Sequence, residues 1–182
     1  AASDVSVKWE VADDEGFKVN RRTGQVVALS ALAHSVHLEI DQLQSDRWYF
    51  YRFQLGDAQS TIGRTRTTPH PQAMVQKLRI AYASCQRWEH GYFSAYEHMA
   101  QENLDMVLFL GDYIYEYAGA ANFVRLPPGG WVTSLSDYRN RYALQRTEKS
   151  LQAMHAQCPW LVTWDDHEVS NDYAGLVRGF SG

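Results

Sequence analysis

Apolar and polar positions change rhythm about a third of the way along the chain. Up to residue 69 they alternate; beyond residue 78 apolar residues come in unbroken blocks. Alternation predicts strands with one buried face. Val5, Val7, Trp9 and Val11 share such a face, as do Val36, Leu38 and Ile40. Phe17–Leu29 predicts two strand pieces turning at Thr23-Gly24. Arg47–Gly56 is aromatic-rich and strongly strand-forming, and Ser60–Pro69 adds a last short strand. Turn-type residues recur at 13–16, 23–24, 44–46 and 56–57. Short strands at this spacing predict a β-sandwich. About five strands, against roughly seven in a complete one, predict a sandwich lacking one or two N-terminal strands.

Leu43 stands six residues before Tyr49, across a polar turn. That spacing resembles the tyrosine corner of fibronectin-III and immunoglobulin-like domains, in which the phenol bonds back to the backbone. A core tyrosine in a hairpin has the same spacing, so both readings stand at this point.

Residues 70–77 read as a linker between a first domain, 1–69, and a second, 78–182. After it, Leu78–Cys85, Met106–Asp112 and Trp160–Glu168 carry apolar runs of the kind expected in strands buried on both faces. Between them, Phe93, Tyr96, Met99 and Ala100 predict a helix over Tyr92–Leu104. Ser134 or Ser136 can cap a helix through Asp137–Leu144. A further helix covers Leu151–Gln157 and stops at Pro159. Tyr113–Trp131 is a long loop of the kind that serves as a functional lid or is disordered. Strand, helix, strand, helices, strand is the order of a parallel α/β sheet. The fold expected is therefore mixed: an incomplete all-β sandwich followed by the start of an α/β domain.

Composition narrows the function. The chain has 182 residues with a net charge of −4 and no cationic run longer than Arg21-Arg22, so it lacks a nucleic-acid footprint. No apolar stretch approaches the ~18 residues of a membrane span. Residues 1–10 carry no signal-peptide pattern. Two cysteines, Cys85 and Cys158, exclude a disulfide scaffold. They could form one bridge, or Cys85 could be a thiolate ligand and Cys158 a small buried residue.

All three apolar runs of the second half end in groups that bind metal. Cys85 follows the first, Asp112 and Tyr115 the second, and Asp165, Asp166 and His167 the third. Ligands of an open α/β sheet bind beyond the carboxyl ends of its strands, so one convergent site is expected. Thiolate, carboxylate, phenol and imidazole together suit a highly charged metal with a second beside it. Asp165-Asp166-His167-Glu168 would be costly after a buried strand unless paired or metal-bound. On an extended backbone Asp166 and His167 point to opposite sides. By the same alternation Asp165 and Asp166 do not both reach one metal, and His167 is either a ligand or free to bond substrate. His90, His98 and His155 read as helix or packing residues, and His34 and His37 belong to the first domain. Arg87, Arg139 and Arg141 read as packing or exposed residues, although each could reach a phosphate. Ser84 lacks partners for a nucleophile.

Ala83–Gln86 (ASCQ), Leu110–Tyr117 (LGDYIYEY) and Thr163–Gly175 (TWDDHEVSNDYAG) resemble the signature blocks of the alkaline phosphatase D, or PhoD-type, phosphatases. The resemblance extends over nearly the whole chain and implies a fibronectin-like sandwich followed by the first part of a metallophosphatase domain. By that resemblance Asp112 bridges two metals. Cys85 and Tyr115 complete an Fe³⁺ side, Asp166 holds a second metal, Ca²⁺, and His167 is catalytic, with other divalent metals possible. The expected activity is metal-dependent hydrolysis of phosphate mono- or diesters by a monomeric, secreted or periplasmic enzyme. The distal ligands of the wider fold have no counterpart in these residues, so a piece of a longer enzyme is expected, inactive by itself. A secreted fibronectin-like binding module carrying an inactive α/β remnant is the alternative.

Overall fold

A computed structural model describes residues 3–119, 121–126 and 129–177. They separate into two compact units with the boundary between Leu78 and Arg79; Ala156–Pro159 group with the first. Among the described residues, no helix is long and apolar enough to cross a membrane.

The first unit is one five-stranded antiparallel sheet. β1 (Val5–Ala12) lies between β2 (Arg22–Ala28) and β3 (Trp48–Leu55); β3 also pairs with β4 (Ala58–Gln59) and β5 (Gly63–Arg66). Alternation in β1 appears as expected: Val5, Val7 and Trp9 are half-buried while Ser6 and Lys8 are exposed. On the polar side, Glu10 is buried under Arg52, Arg21 and Lys8.

The turn expected at Thr23-Gly24 is absent. β2 runs straight through it, and the chain reverses earlier, where Asp14 Oδ1 accepts the amides of Lys18 (2.8 Å) and Val19 (2.7 Å). Gly24 serves packing instead. It pairs with Trp9, and a Cβ there would meet the indole at 2.5 Å. The segment with Val36, Leu38 and Ile40 keeps its alternating burial but forms no strand. Leu38, Ile40 and Leu43 line a cavity with Trp9, Tyr51 and Phe53. Among the described residues this unit has one sheet, not the two expected. Tyr49 is buried, and its phenol accepts the amide of Gln44 at 2.8 Å, the back-bond that the Leu43–Tyr49 spacing anticipates.

The second unit is a three-stranded parallel sheet in the order β6 (Ile80–Ala83), β7 (Met106–Leu110), β8 (Trp160–Thr163). The capping box at Ser134, reciprocal with Asp137, starts α2 (Leu135–Gln145); α3 (Lys149–Gln157) follows. The helix α1 (Ser94–Met99) is shorter than expected because Phe93, at φ 55°, is left-handed and bars it from starting earlier. Val107, Phe109, Ile114, Leu151 and Met154 form the core.

Burial on both faces does not hold for this sheet. The registers Tyr82↔Leu108↔Leu161 and Leu110↔Thr163 put Tyr82, Leu161 and Leu110 on one face, and all three are exposed, Tyr82 by 76%. The opposite face carries Val107 and Phe109, both fully buried. Part of the expected lid is also built in. Ile114 and Glu116 are buried, the Gly119 amide reaches Glu89, and Arg125 stacks on Trp88 while pairing with Glu148. Pro127-Pro128 lie outside the described residues.

Candidate metal centre

The residues that could hold metal stand beyond the carboxyl ends of β6, β7 and β8. The chain leaves β7 through Gly111 (φ 95°) and Asp112 (φ 55°). Only glycine fits at 111, because a Cβ would lie 2.4 Å from that of Asp165. Asp112 in the left-handed region stores about 1–3 kcal/mol of strain. Cys85, leaving β6, is also left-handed at φ 57°. Its amide donates to Gly111 O at 3.1 Å and that of Gln86 to Asp112 O at 3.1 Å, so two strand exits are tied together.

Asp112, Asp166 and His167 each offer a ligand atom, and these atoms lie within 4.8 Å of one another. Asp112 is buried. Its Oδ2 accepts the Tyr115 hydroxyl at 3.0 Å, and its Oδ1 is buried with no hydrogen-bond partner. A buried carboxylate oxygen with no donor is costly unless a cation faces it. The donor set of two carboxylates and an imidazole, with a phenol against one carboxylate, suits a hard cation. Burial, reinforced by Asp112, raises the Tyr115 hydroxyl above its ordinary pKa.

Asp166 and His167 do not diverge as on a strand. The amides of Val169 and Ser170 both return to Asp166 O (2.8 and 2.7 Å), so 166–169 form a turn that brings adjacent side chains to the same volume. Burial raises the Asp166 carboxyl, but the Asp172 amide at 2.6 Å and the neighbouring His167 outweigh it and hold it below the usual range.

Cys85 is exposed and Cys158 is buried, and no disulfide joins them. The compact group does not include Cys85. Of the five sequence candidates, three converge closely and Tyr115 joins them through Asp112. Cys85 is brought to the same sheet end through its backbone.

Two carboxylates had been given no role. Glu116 is buried; its Oε2 lies 2.7 Å from His167 Nδ1 and its Oε1 accepts the Asn171 amide at 2.7 Å. With Nδ1 held there, Nε2 is the ring nitrogen left for the site. Glu168 accepts three backbone amides, those of Asp112 (3.1 Å), Tyr113 (2.5 Å) and Asp165 (2.8 Å), binding the β7 exit to the β8 exit. Arg87 stacks its guanidinium 3.7 Å over the Tyr115 ring and donates to Tyr117 O and Glu89. Acidic residues at strand exits were the available signal for Glu116 and Glu168, but their partners lie more than fifty residues away or are backbone amides.

The PhoD-like phosphatase family matches residues 80–179, and the family of the PhoD-like phosphatase N-terminal domain matches residues 1–69. The chain is 49% identical over 178 residues to alkaline phosphatase D of Bacillus subtilis (strain 168), covering 95% of this chain and 30% of that protein. A solved structure described as "Structure of PhoD" superposes with a TM-score of 0.95 at 47% identity, covering 100% of this chain and 36% of that one. The chain thus spans about a third of the length of these relatives.

Proposed function

The chain belongs to the PhoD-like phosphatase family, and on that premise we propose that its second unit contributes part of a metal-dependent centre for hydrolysis of phosphate mono- and diesters. The observation that carries the reading is Asp112 Oδ1, buried and without a donor in a group whose ligand atoms lie within 4.8 Å of one another. Asp112 would bridge two metals, Asp166 would hold one of them, and Tyr115 and Cys85 would complete the other side, with Fe³⁺ and Ca²⁺ as the pair. Such metals supply Lewis acidity that polarises a phosphoryl oxygen and acidifies water.

The chain's own residues supply orientation and a proton. Glu116 fixes the His167 ring by holding Nδ1, so that Nε2 can contact a phosphoryl oxygen or protonate the leaving oxygen. Glu168 holds the two ligand-bearing loops in register. Arg87 braces the Tyr115 ring from its face, keeping the hydroxyl aimed at Asp112. The first unit is read as a fibronectin-like sandwich domain over 1–69, supported by the Tyr49 back-bond, and 78–182 as the beginning of the catalytic domain. Family resemblance supports a secreted or periplasmic, monomeric protein.

The test is p-nitrophenyl phosphate hydrolysis by the intact protein before and after chelation, with His167→Ala beside it. Chelation should abolish turnover. His167→Ala should lower kcat by roughly 10²–10⁴ while metal content holds. Metal loss in proportion to activity would make His167 a ligand instead.

A further inference from the structure

Beside the centre lies a cavity of about 480 Å³ walled by Tyr113, Tyr142, Trp164, His155, Arg146 and Glu168. We infer that it is a subsite for a planar aromatic group carried by the phosphate ester; the inference rests on the phosphatase reading and names its substrate class.

Position is the first argument. Tyr113 follows Asp112, Glu168 follows His167, and Trp164 stands two residues before Asp166. The Glu168 carboxylate is at once a wall of the cavity and the acceptor for the Asp112 amide. A group held there is joined to the centre through a single side chain.

Chemistry is the second. Tyr113 and Tyr142 stack at 6.0 Å with 24° between their planes, and His155 stacks on Trp160 at 3.8 Å. The polar atoms of Tyr113, His155 and Glu168 are already engaged. The Tyr113 hydroxyl and His155 Nε2 are 3.0 Å apart, and the Glu168 oxygens hold three amides. Burial, then Arg146, pushes the His155 pKa down to about 3, so its ring is neutral at physiological pH. What remains is mostly ring surface, with Trp164 70% exposed, beside Val162, Thr163 and the Arg146 cation. Aromatic walls with one cation favour a flat, π-rich guest over an aliphatic one.

The experiment measures inhibition of p-nitrophenyl phosphate hydrolysis by phenylphosphonate and by methylphosphonate. It uses the intact metal-loaded protein, wild type, Trp164→Ala and Trp164→Phe. Trp164→Phe keeps an aromatic ring at the position and separates lost stacking from a folding defect. Phenylphosphonate should bind wild type about tenfold tighter than methylphosphonate. Trp164→Ala should erase most of that ratio and Trp164→Phe should restore it, as loss and return of a stacking face require. Equal affinities in wild type, or a ratio that Trp164→Ala does not change, would overturn the subsite and leave the phosphatase reading standing. No hydrolysis by the wild type would overturn both.

Discussion

The two sheets treat their carboxylates in opposite ways. In the antiparallel sheet, Glu10 is buried beneath three cations and faces arginine and lysine side chains. In the parallel sheet, Glu168 takes only backbone amides, and Glu116 takes one amide and one imidazole. That cluster neutralises a charge but touches no ligand-bearing segment. Amides and a ring nitrogen have fixed directions, so the carboxylates of the second unit set the geometry of Asp112, Asp165 and His167. The strand exits show the same contrast. Gly111, Asp112 and Cys85 all take left-handed backbone beside the candidate ligands, a strain that these bonds hold in place.

The largest way to break this contrast is Glu168→Ala. Three amides would lose their acceptor, at a cost of about 3 kcal/mol or more, all within the second unit. Hydrogen exchange should accelerate in β7 and β8 while β1–β3 keep their protection; equal acceleration in both sheets would refute the division of roles. Glu116→Gln comes next. It keeps the shape but weakens the hold on His167, and kcat in the intact protein should fall about 10–100-fold with little change in KM. Gly24→Ala probes the first unit. Its methyl would collide with Trp9 at 2.5 Å and should cost about 1–3 kcal/mol, seen as faster exchange in β1 and β2 and no loss of activity.

Acid gives the smallest and most selective effect. The folded His155 pKa of about 3 lies below the ordinary 6.5, so between those values the unfolded chain binds a proton that the folded chain refuses. That contribution is full above pH 6.5 and declines as pH falls toward 3. Glu10, raised by burial but lowered further by its Arg52 bond and neighbouring cations, titrates below 4.5; its contribution is lost only as pH drops beneath that value. Protection in β6–β8 should therefore weaken between pH 6.5 and 5 while β1–β3 hold, and His155→Phe should flatten the difference. Parallel loss in both sheets would count against it.

Much of the backbone was legible where a pattern had a single cause. Alternation located β1, aromatic-rich composition located β3, a serine cap at Ser134 or Ser136 located α2, and apolar runs located β6, β7 and β8. Asp112 and Asp166, read as metal ligands, and His167, read as the catalytic residue, stand at strand ends and come together. The misreadings share a physical origin. Gly24 looks like a turn residue but makes room for an indole, and Phe93 truncates a helix by a backbone angle that no periodicity reports. Asp166 and His167 were read as extended neighbours because the amides that curl the segment, those of Val169 and Ser170, carry no side-chain signal. Glu116 and Glu168 escaped for the same reason, their partners being amides or a ring far along the chain. The exposed face of Tyr82, Leu110 and Leu161 shows that an apolar run records what a strand is suited to cover, not what covers it here.

The central claim is that Asp112 and Asp166 hold metal beside a substrate-facing His167. Metal content of the intact protein, measured by mass spectrometry for wild type and Asp112→Asn after identical dialysis, tests it most directly. The account predicts stoichiometric metal in the wild type and loss of most of it in the variant, because one oxygen of a buried carboxylate becomes an amide nitrogen. Equal metal in both proteins, or none in the wild type, would contradict it.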